Sequence, residues 1–217
     1  MKLKIEKKLE FIGGETKDLL KEKILDGGLI IYPTDTVYGL GAIITNHIAL
    51  ENIYKVKTRN FSSPLIALIS SVDKIDKIAY LSDKEKILVK KLAKKFWPGA
   101  LTIILKKKDI VPDIMVSNGN TVGIRIPNLK LALDIIDLAG GILATTSANI
   151  SGEASPRSYE ELSEIIKDRV DILVDGGNCK IGEVSTIIDL TGKVPKVLRQ
   201  GAISLDEIEK TIGEVEV

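Results

Sequence analysis

Short apolar runs recur along the whole chain: "LIIY" at 29, "PLIALIS" at 64, "LTIIL" at 101, "TVGIRI" at 121, "GILATT" at 141, "DILV" at 171, "STIIDL" at 185 and "KVLRQ" at 196. Runs this brief, and this rich in β-branched residues, suit strands better than helices. Helical patterns separate them: from Thr16 to the stop at Gly27-Gly28, from Asn46 to about Val56, over the lysine-rich 83–95, near 158–167, and from Ser204 to about Ile212. Thr16 reads as a cap and the glycine pair as a terminator. No linker, repeat or low-complexity segment intervenes, so residues 1–217 are expected to form one α/β or α+β domain built on a largely continuous sheet.

A chain of 217 residues can bury one sizeable core. No stretch approaches the roughly 18 apolar residues that span a bilayer, and "MKLKIEKKLEFIGG" is too charged for the apolar part of a signal peptide. Cys179 is the single cysteine, so no internal disulfide can form, and a reducing, cytoplasmic setting without membrane contact is expected. With His47 as the single histidine, a zinc site of Cys and His ligands cannot be assembled. A serine triad would have to use His47, which follows Asn46 near a helix start. The net charge of +1 conceals a split, with cations in excess over residues 1–108 and acids in excess over 109–217. That split hints at a basic face suited to phosphates or RNA.

The strand ends carry the polar chemistry. "YPTDTVYGLGA" turns within a few positions from apolar to hydroxyl-rich and then to two glycines, which reads as the wall of a pocket. Lys57 follows Ile53 and Tyr54 on the inward face of its helix, with Arg59 just beyond, so both cations are expected to point into a cleft. In "TVGIRIPN", strand alternation sends Arg125 to the face opposite Ile124 and Ile126, where water or an anion must meet it. "LATTSANISG" repeats the pattern with Thr145, Thr146, Ser147 and Asn149, and Ser185 and Arg199-Gln200-Gly201 close the series. Short hydroxyls and forked guanidinium groups bind phosphate and carboxylate oxygens. Neither a P-loop nor a complete dinucleotide fingerprint is present, so a nucleotide would have to bind by another architecture.

Taken in order, "YPTDTVYGLGA", "KTR", "SPLIALIS", "WPGALTIIL", "VGIRIPN", "TTSANISG", "STIIDL" and "RQG" resemble the motifs of the YrdC-like family, the threonylcarbamoyl-adenylate synthases. The likeness covers about residues 14–201, with a short helix after it, whereas the larger relatives continue into a C-terminal domain. It implies a twisted mixed sheet with flanking helices and a central basic cleft. It also implies a reaction in which L-threonine, bicarbonate and ATP yield threonylcarbamoyl-AMP and pyrophosphate, for transfer to tRNA by a threonylcarbamoyl-transferase complex. By the same resemblance Thr36, Arg125, Thr145 and Ser185 match threonine-contacting positions. Arg59, Ser63, Thr121, Ser147, Ser155 and Arg199 match ATP-contacting ones, and Lys57, Arg59, Ser147 and Asn149 form the family's paired Lys-x-Arg and Ser-x-Asn signature. The sequence departs from the family pattern at Thr58 (often Gly), Ser63 (often Asn), Leu68 (often His) and Ala100 (often Pro).

Chemically, a neutral threonine amine adds carbon dioxide, the resulting carbamate attacks the α-phosphorus, and pyrophosphate leaves. Positioning and charge neutralisation carry such a reaction. With no carboxylate cage evident, Mg²⁺ is expected to arrive on the triphosphate. Val37 and Leu40 are the candidates to enclose the threonine methyl. Two other readings remain open here: an RNA-binding module acting through Lys84 to Lys108 on tRNA or double-stranded RNA, or a carbamoyl-transfer module of the hydrogenase-maturation type.

Overall fold

The computed structural model describes residues 3–5, 14–58 and 60–217. In chain order the first half holds β1 (Leu3–Ile5), α1 (Gly14–Leu25), β2 (Ile30–Tyr32), β3 (Gly39–Ile43), α2 (His47–Lys57), β4 (Ile66–Ile69), α3 (Ile75–Ile78), β5 (Ala79–Tyr80), α4 (Asp83–Phe96) and β6 (Leu101–Lys107). The second half holds β7 (Thr121–Arg125), α5 (Lys130–Leu138), β8 (Ile142–Ser147), α6 (Glu164–Asp168), β9 (Ile172–Val174), β10 (Thr186–Asp189), β11 (Lys196–Arg199) and α7 (Leu205–Ile212). Among the described residues the strands join in one mixed sheet ordered β1-β9-β2-β3-β8-β4-β7-β6-β10-β11, with β5 paired to β6 beside that path.

The helices begin where local chemistry allows. Ser82 and Ser204 each form a reciprocal capping box with the glutamate three positions on, Glu85 and Glu207, at the starts of α4 and α7. Asn46 accepts from the Ala49 amide to open α2, and Thr58 in the left-handed region (φ 50°) ends it. Their buried stripes meet one face of the sheet: Leu50 and Ile53 of α2, Leu92 and Phe96 of α4 and Ile208 of α7 pack with Ile31, Ala67, Ile103 and Ile124. Helices α1 and α5 cover the opposite face, where Leu20, Ile24, Ile135 and Ile136 pack with Ile30, Tyr32, Leu68, Leu143 and Ile172. That second cover ends at β4. Beyond it, Thr102 and Ile104 of β6, Gly123 and Arg125 of β7 and Ile187 of β10 are bare of helix and line a cavity.

Strands β1 and β5 and helix α3 were not expected, α1 begins at Gly14 so that Thr16 lies inside it rather than capping it, and three further elements differ from the sequence expectations. The helix expected near 158–167 is confined to Glu164–Asp168, because Ser163 accepts from the Ile166 amide and sets a later start. Gly39–Ile43 is a strand, held by register with both β2 and β8 despite its two glycines. Helix α5 has no side-chain cap at its start, which hides it between the strands on either side.

Candidate active site

The cavity, of about 470 Å³, lies on the uncovered part of the sheet. Strand glycines keep its floor low. A Cβ on Gly123 would sit 3.1 Å from Ile66 Cγ2 and 3.2 Å from Thr102 Cγ2, and one on Gly39 would sit 2.9 Å from Thr145 Cγ2. Val37, Ile66 and Leu68 add apolar lining. Leu40, by contrast, packs in the core on the other face, since strand alternation separates it from Gly39 and Gly41. Leu68 pairs in register with Arg125 and is buried, so this part of the cavity wall is apolar.

Arg125 is the most heavily engaged group. Its Nε donates to the Gly99 carbonyl at 2.9 Å, its Nη1 to Thr36 Oγ1 at 2.7 Å, and its Nη2 is ion-paired with Asp35 Oδ1. The Asp35 and Arg125 side chains are only 2% and 5% exposed. Burial lowers the Arg125 pKa, with the Asp35 charge opposing that shift. Thr36 in turn shares a hydrogen bond with Thr34 Oγ1, which accepts from the Thr36 and Val37 amides and donates to the Val37 carbonyl. The Thr34–Val37 segment is therefore a self-bonded turn with one charged strut. Behind it, Thr145 Oγ1 shares a hydrogen bond with the Tyr32 hydroxyl at 2.9 Å, and Tyr38 donates to the Gly177 carbonyl. Cys179 is half-buried in that backing layer, and burial pushes its thiol up to about 11, so the thiolate is disfavoured at neutral pH.

Across the floor, Ser185 Oγ and Thr102 Oγ1 lie 2.8 Å apart, and Arg199 donates from Nε and Nη2 to the Ser185 carbonyl. Desolvation lowers the Arg199 pKa, and the nearby Arg125 charge lowers it further. Two guanidinium groups thus face one hollow, only one of them ion-paired to a carboxylate among the described residues. Such a pair favours an anionic occupant. Ser63, Thr121, Ser147 and Ser155 complete the polar lining.

Of the residues singled out from sequence, Thr36, Ser63, Thr121, Arg125, Thr145, Ser147, Ser155, Ser185 and Arg199 line this one cavity. Arg59 lies outside the described residues. Lys57 is on the inward face, 1% exposed, but its ammonium does not line the cavity: it donates to the carbonyls of Ser147 and Asn149, both at 2.5 Å. Asn149 also stands behind the lining, accepting from Ser147 Oγ and donating to the Ile150 and Glu153 carbonyls. Lys57 and Asn149 therefore fix the turn that presents Ser147. Sequence reasoning did not single out Asp35, Tyr32 or Thr102. Thr102 had a signal, a lone hydroxyl in an apolar strand, whereas Asp35 read as a turn former.

Among the described residues no cluster of three or more His, Cys, Asp or Glu is arranged to hold a metal ion, and no helix is long and apolar enough to cross a membrane.

A family model described as "Telomere recombination", covering Sua5, YciO and YrdC proteins, matches residues 22–201. A threonylcarbamoyl-AMP synthase of Pyrococcus abyssi is 40% identical over 194 residues, which are 89% of this chain and 56% of that protein. A putative threonylcarbamoyl-AMP synthase of Methanocaldococcus jannaschii is 39% identical over 193 residues, 89% of each protein. The crystal structure of P. abyssi Sua5 complexed with L-threonine superposes with a TM-score of 0.89 at 37% identity, covering 100% of this chain and 61% of that one. The chain thus spans little more than half of the Pyrococcus protein and nearly all of the Methanocaldococcus one. Sequence, sheet order and cavity agree: the chain belongs to the Sua5/YciO/YrdC family.

Proposed function

We propose that the chain makes L-threonylcarbamoyl-AMP from L-threonine, bicarbonate and ATP, releasing pyrophosphate. The observation that carries this reading is the joining of two polar sets in one 470 Å³ cavity: Thr36, Arg125, Thr145 and Ser185 with Ser63, Thr121, Ser147 and Ser155, and Arg199 bonded to the Ser185 carbonyl beside them. The names of the matched relatives and the threonine bound to the Pyrococcus structure support it.

In this reading the Arg125 N–H groups not engaged by Gly99, Thr36 and Asp35 grip the threonine carboxylate, with Ser185 and Thr145 beside it. Val37 and Leu68 take the methyl side. The amine, bound neutral, adds the carbon dioxide that bicarbonate yields on losing hydroxide, and the amine proton and that hydroxide leave as water. The carbamate oxygen attacks the α-phosphorus while the bond to pyrophosphate breaks. Arg199 and Arg59 neutralise phosphate charge. Ser63, Thr121, Ser147 and Ser155 hold ATP by hydroxyl contacts, and Lys57 with Asn149 keeps Ser147 in place. Excluding water as the substrates bind would strengthen each of these contacts.

Magnesium would come with the triphosphate, the described residues offering no cage of their own. The product would pass, in the cytoplasm, to an enzyme that transfers threonylcarbamoyl to tRNA, with the lysine-rich α4 offering contacts to RNA phosphates. Pyrophosphate release from ATP, measured with and without L-threonine and bicarbonate, tests the reading. Release that needs both supports it; release independent of threonine overturns it.

A further inference from the structure

We propose that Asp35 is a positioning residue for substrate recognition: it aims the Arg125 fork at the amino-acid carboxylate. This rests on the reading of the cavity given under Proposed function. Three groups fix the plane of the guanidinium, the Gly99 carbonyl, Thr36 Oγ1 and Asp35 Oδ1, and only the last carries charge. Asp35 is itself immobilised. Its backbone carbonyl accepts from the Ile181 amide at 2.8 Å, and the Thr34 turn fixes the residues around it. Its second oxygen, Oδ2, is buried with no hydrogen-bond partner among the described residues, so among them the carboxylate's one side-chain hydrogen bond is the one to Arg125. A carboxylate held away from water for a single partner is costly to keep for stability alone. Asp35 does not itself line the cavity, and so acts on a substrate only through Arg125.

The test is a graded series read by steady-state pyrophosphate release, with thermal melting alongside. Asp35→Asn keeps the shape and an oxygen for the same N–H but loses the charge assistance. It should raise the threonine KM about three- to tenfold and move the ATP KM less than about twofold. Asp35→Ala should raise the threonine KM further still. In the wild type, L-threoninamide, which has no carboxylate, should bind far more weakly than L-threonine by calorimetry, and Asp35→Asn should narrow that preference. If Asp35 only neutralised the guanidinium, Asp35→Asn would bind threonine more tightly, and that result overturns the proposal. An unchanged threonine KM, or equal rises for threonine and ATP with a lowered Tm, overturns it as well. Asp35→Asn carries the test if Asp35→Ala does not fold. A wild type without threonine-dependent release would defeat the functional reading itself, whereas threonine dependence with an unmoved Asp35→Asn defeats this inference alone.

Discussion

Arg125 has two tasks, because the guanidinium that faces the cavity also closes a buried ion pair. Lysine at this position would keep the charge but lose the fork, and a single ammonium cannot reach Gly99, Thr36 and Asp35 in the same geometry. Arg125→Lys is therefore expected to do two things together: raise the threonine KM about tenfold or more, and lower the Tm by several degrees. The ATP KM should stay within about twofold, and kinetics plus a melting curve on the one variant check all three. Arg199 behaves differently, since the Ser185 carbonyl and hydroxyl hold it with no carboxylate partner among the described residues. Arg199→Ala should weaken ATP binding by about 1.5–3 kcal/mol and threonine binding by less. Calorimetry with each ligand decides, and unchanged ATP affinity would remove the assigned role. A third expectation concerns the methyl group, which Val37, Ile66 and Leu68 are placed to surround. Serine should be a substrate with kcat/KM about 10–200-fold lower than threonine, and equal turnover would contradict an apolar methyl site.

At the scale of single elements, alternation along β7 was enough to send Arg125 to the open face, because Ile124 and Ile126 both belong to the helix-covered core. The same periodicity put Lys57 inward. Neither pattern could name the partners, which lie 90 residues away for both the Arg125–Asp35 pair and the Lys57–Ser147 bond. Local sequence carries no information on such pairings. Strand β3 was hidden for a related reason: two of its five residues are glycine, and neighbouring strands rather than propensity hold it extended. Lys57→Met tests the structural half of the Lys57 assignment. Two carbonyls in the turn after β8 would lose a charged donor, at a cost of about 1–3 kcal/mol each. A clear fall in Tm is expected, with amide exchange accelerating first around Ser147–Ser151; an unaltered Tm would show that water replaces the ammonium freely.

For the whole molecule, the buried phenols of the backing layer contribute to the fall of stability expected at alkaline pH. Burial raises the pKa of Tyr32 and of Tyr38 above the usual tyrosine value of 10.0. A raised value in the fold means that folding favours the protonated phenol, so the contribution is complete below about pH 10 and declines as pH rises beyond it. Tyr32 should remove up to about 1.4 kcal/mol per pH unit in that range, with Tyr38 acting in the same direction. Melting curves from neutral to strongly alkaline pH, followed with phenolate absorbance, check this. Ionisation of both phenols at the ordinary value without loss of stability would refute it.

The sheet order has a further consequence, for chains still being made. Thr186 of β10 lies beside Leu101 of β6, and Ser185 and Arg199 come late in the chain. The strands from β2 through β9, with α1, α2, α4 and α5, can bury one helix-covered face and most of the other before those residues have left the ribosome, α7 completing the latter last. The hollow at their edge would still lack its last wall. On the proposed reading substrate would lack its Ser185 and Arg199 contacts until β10 and β11 dock, so ligand binding should favour chains long enough to hold both strands over shorter products of synthesis.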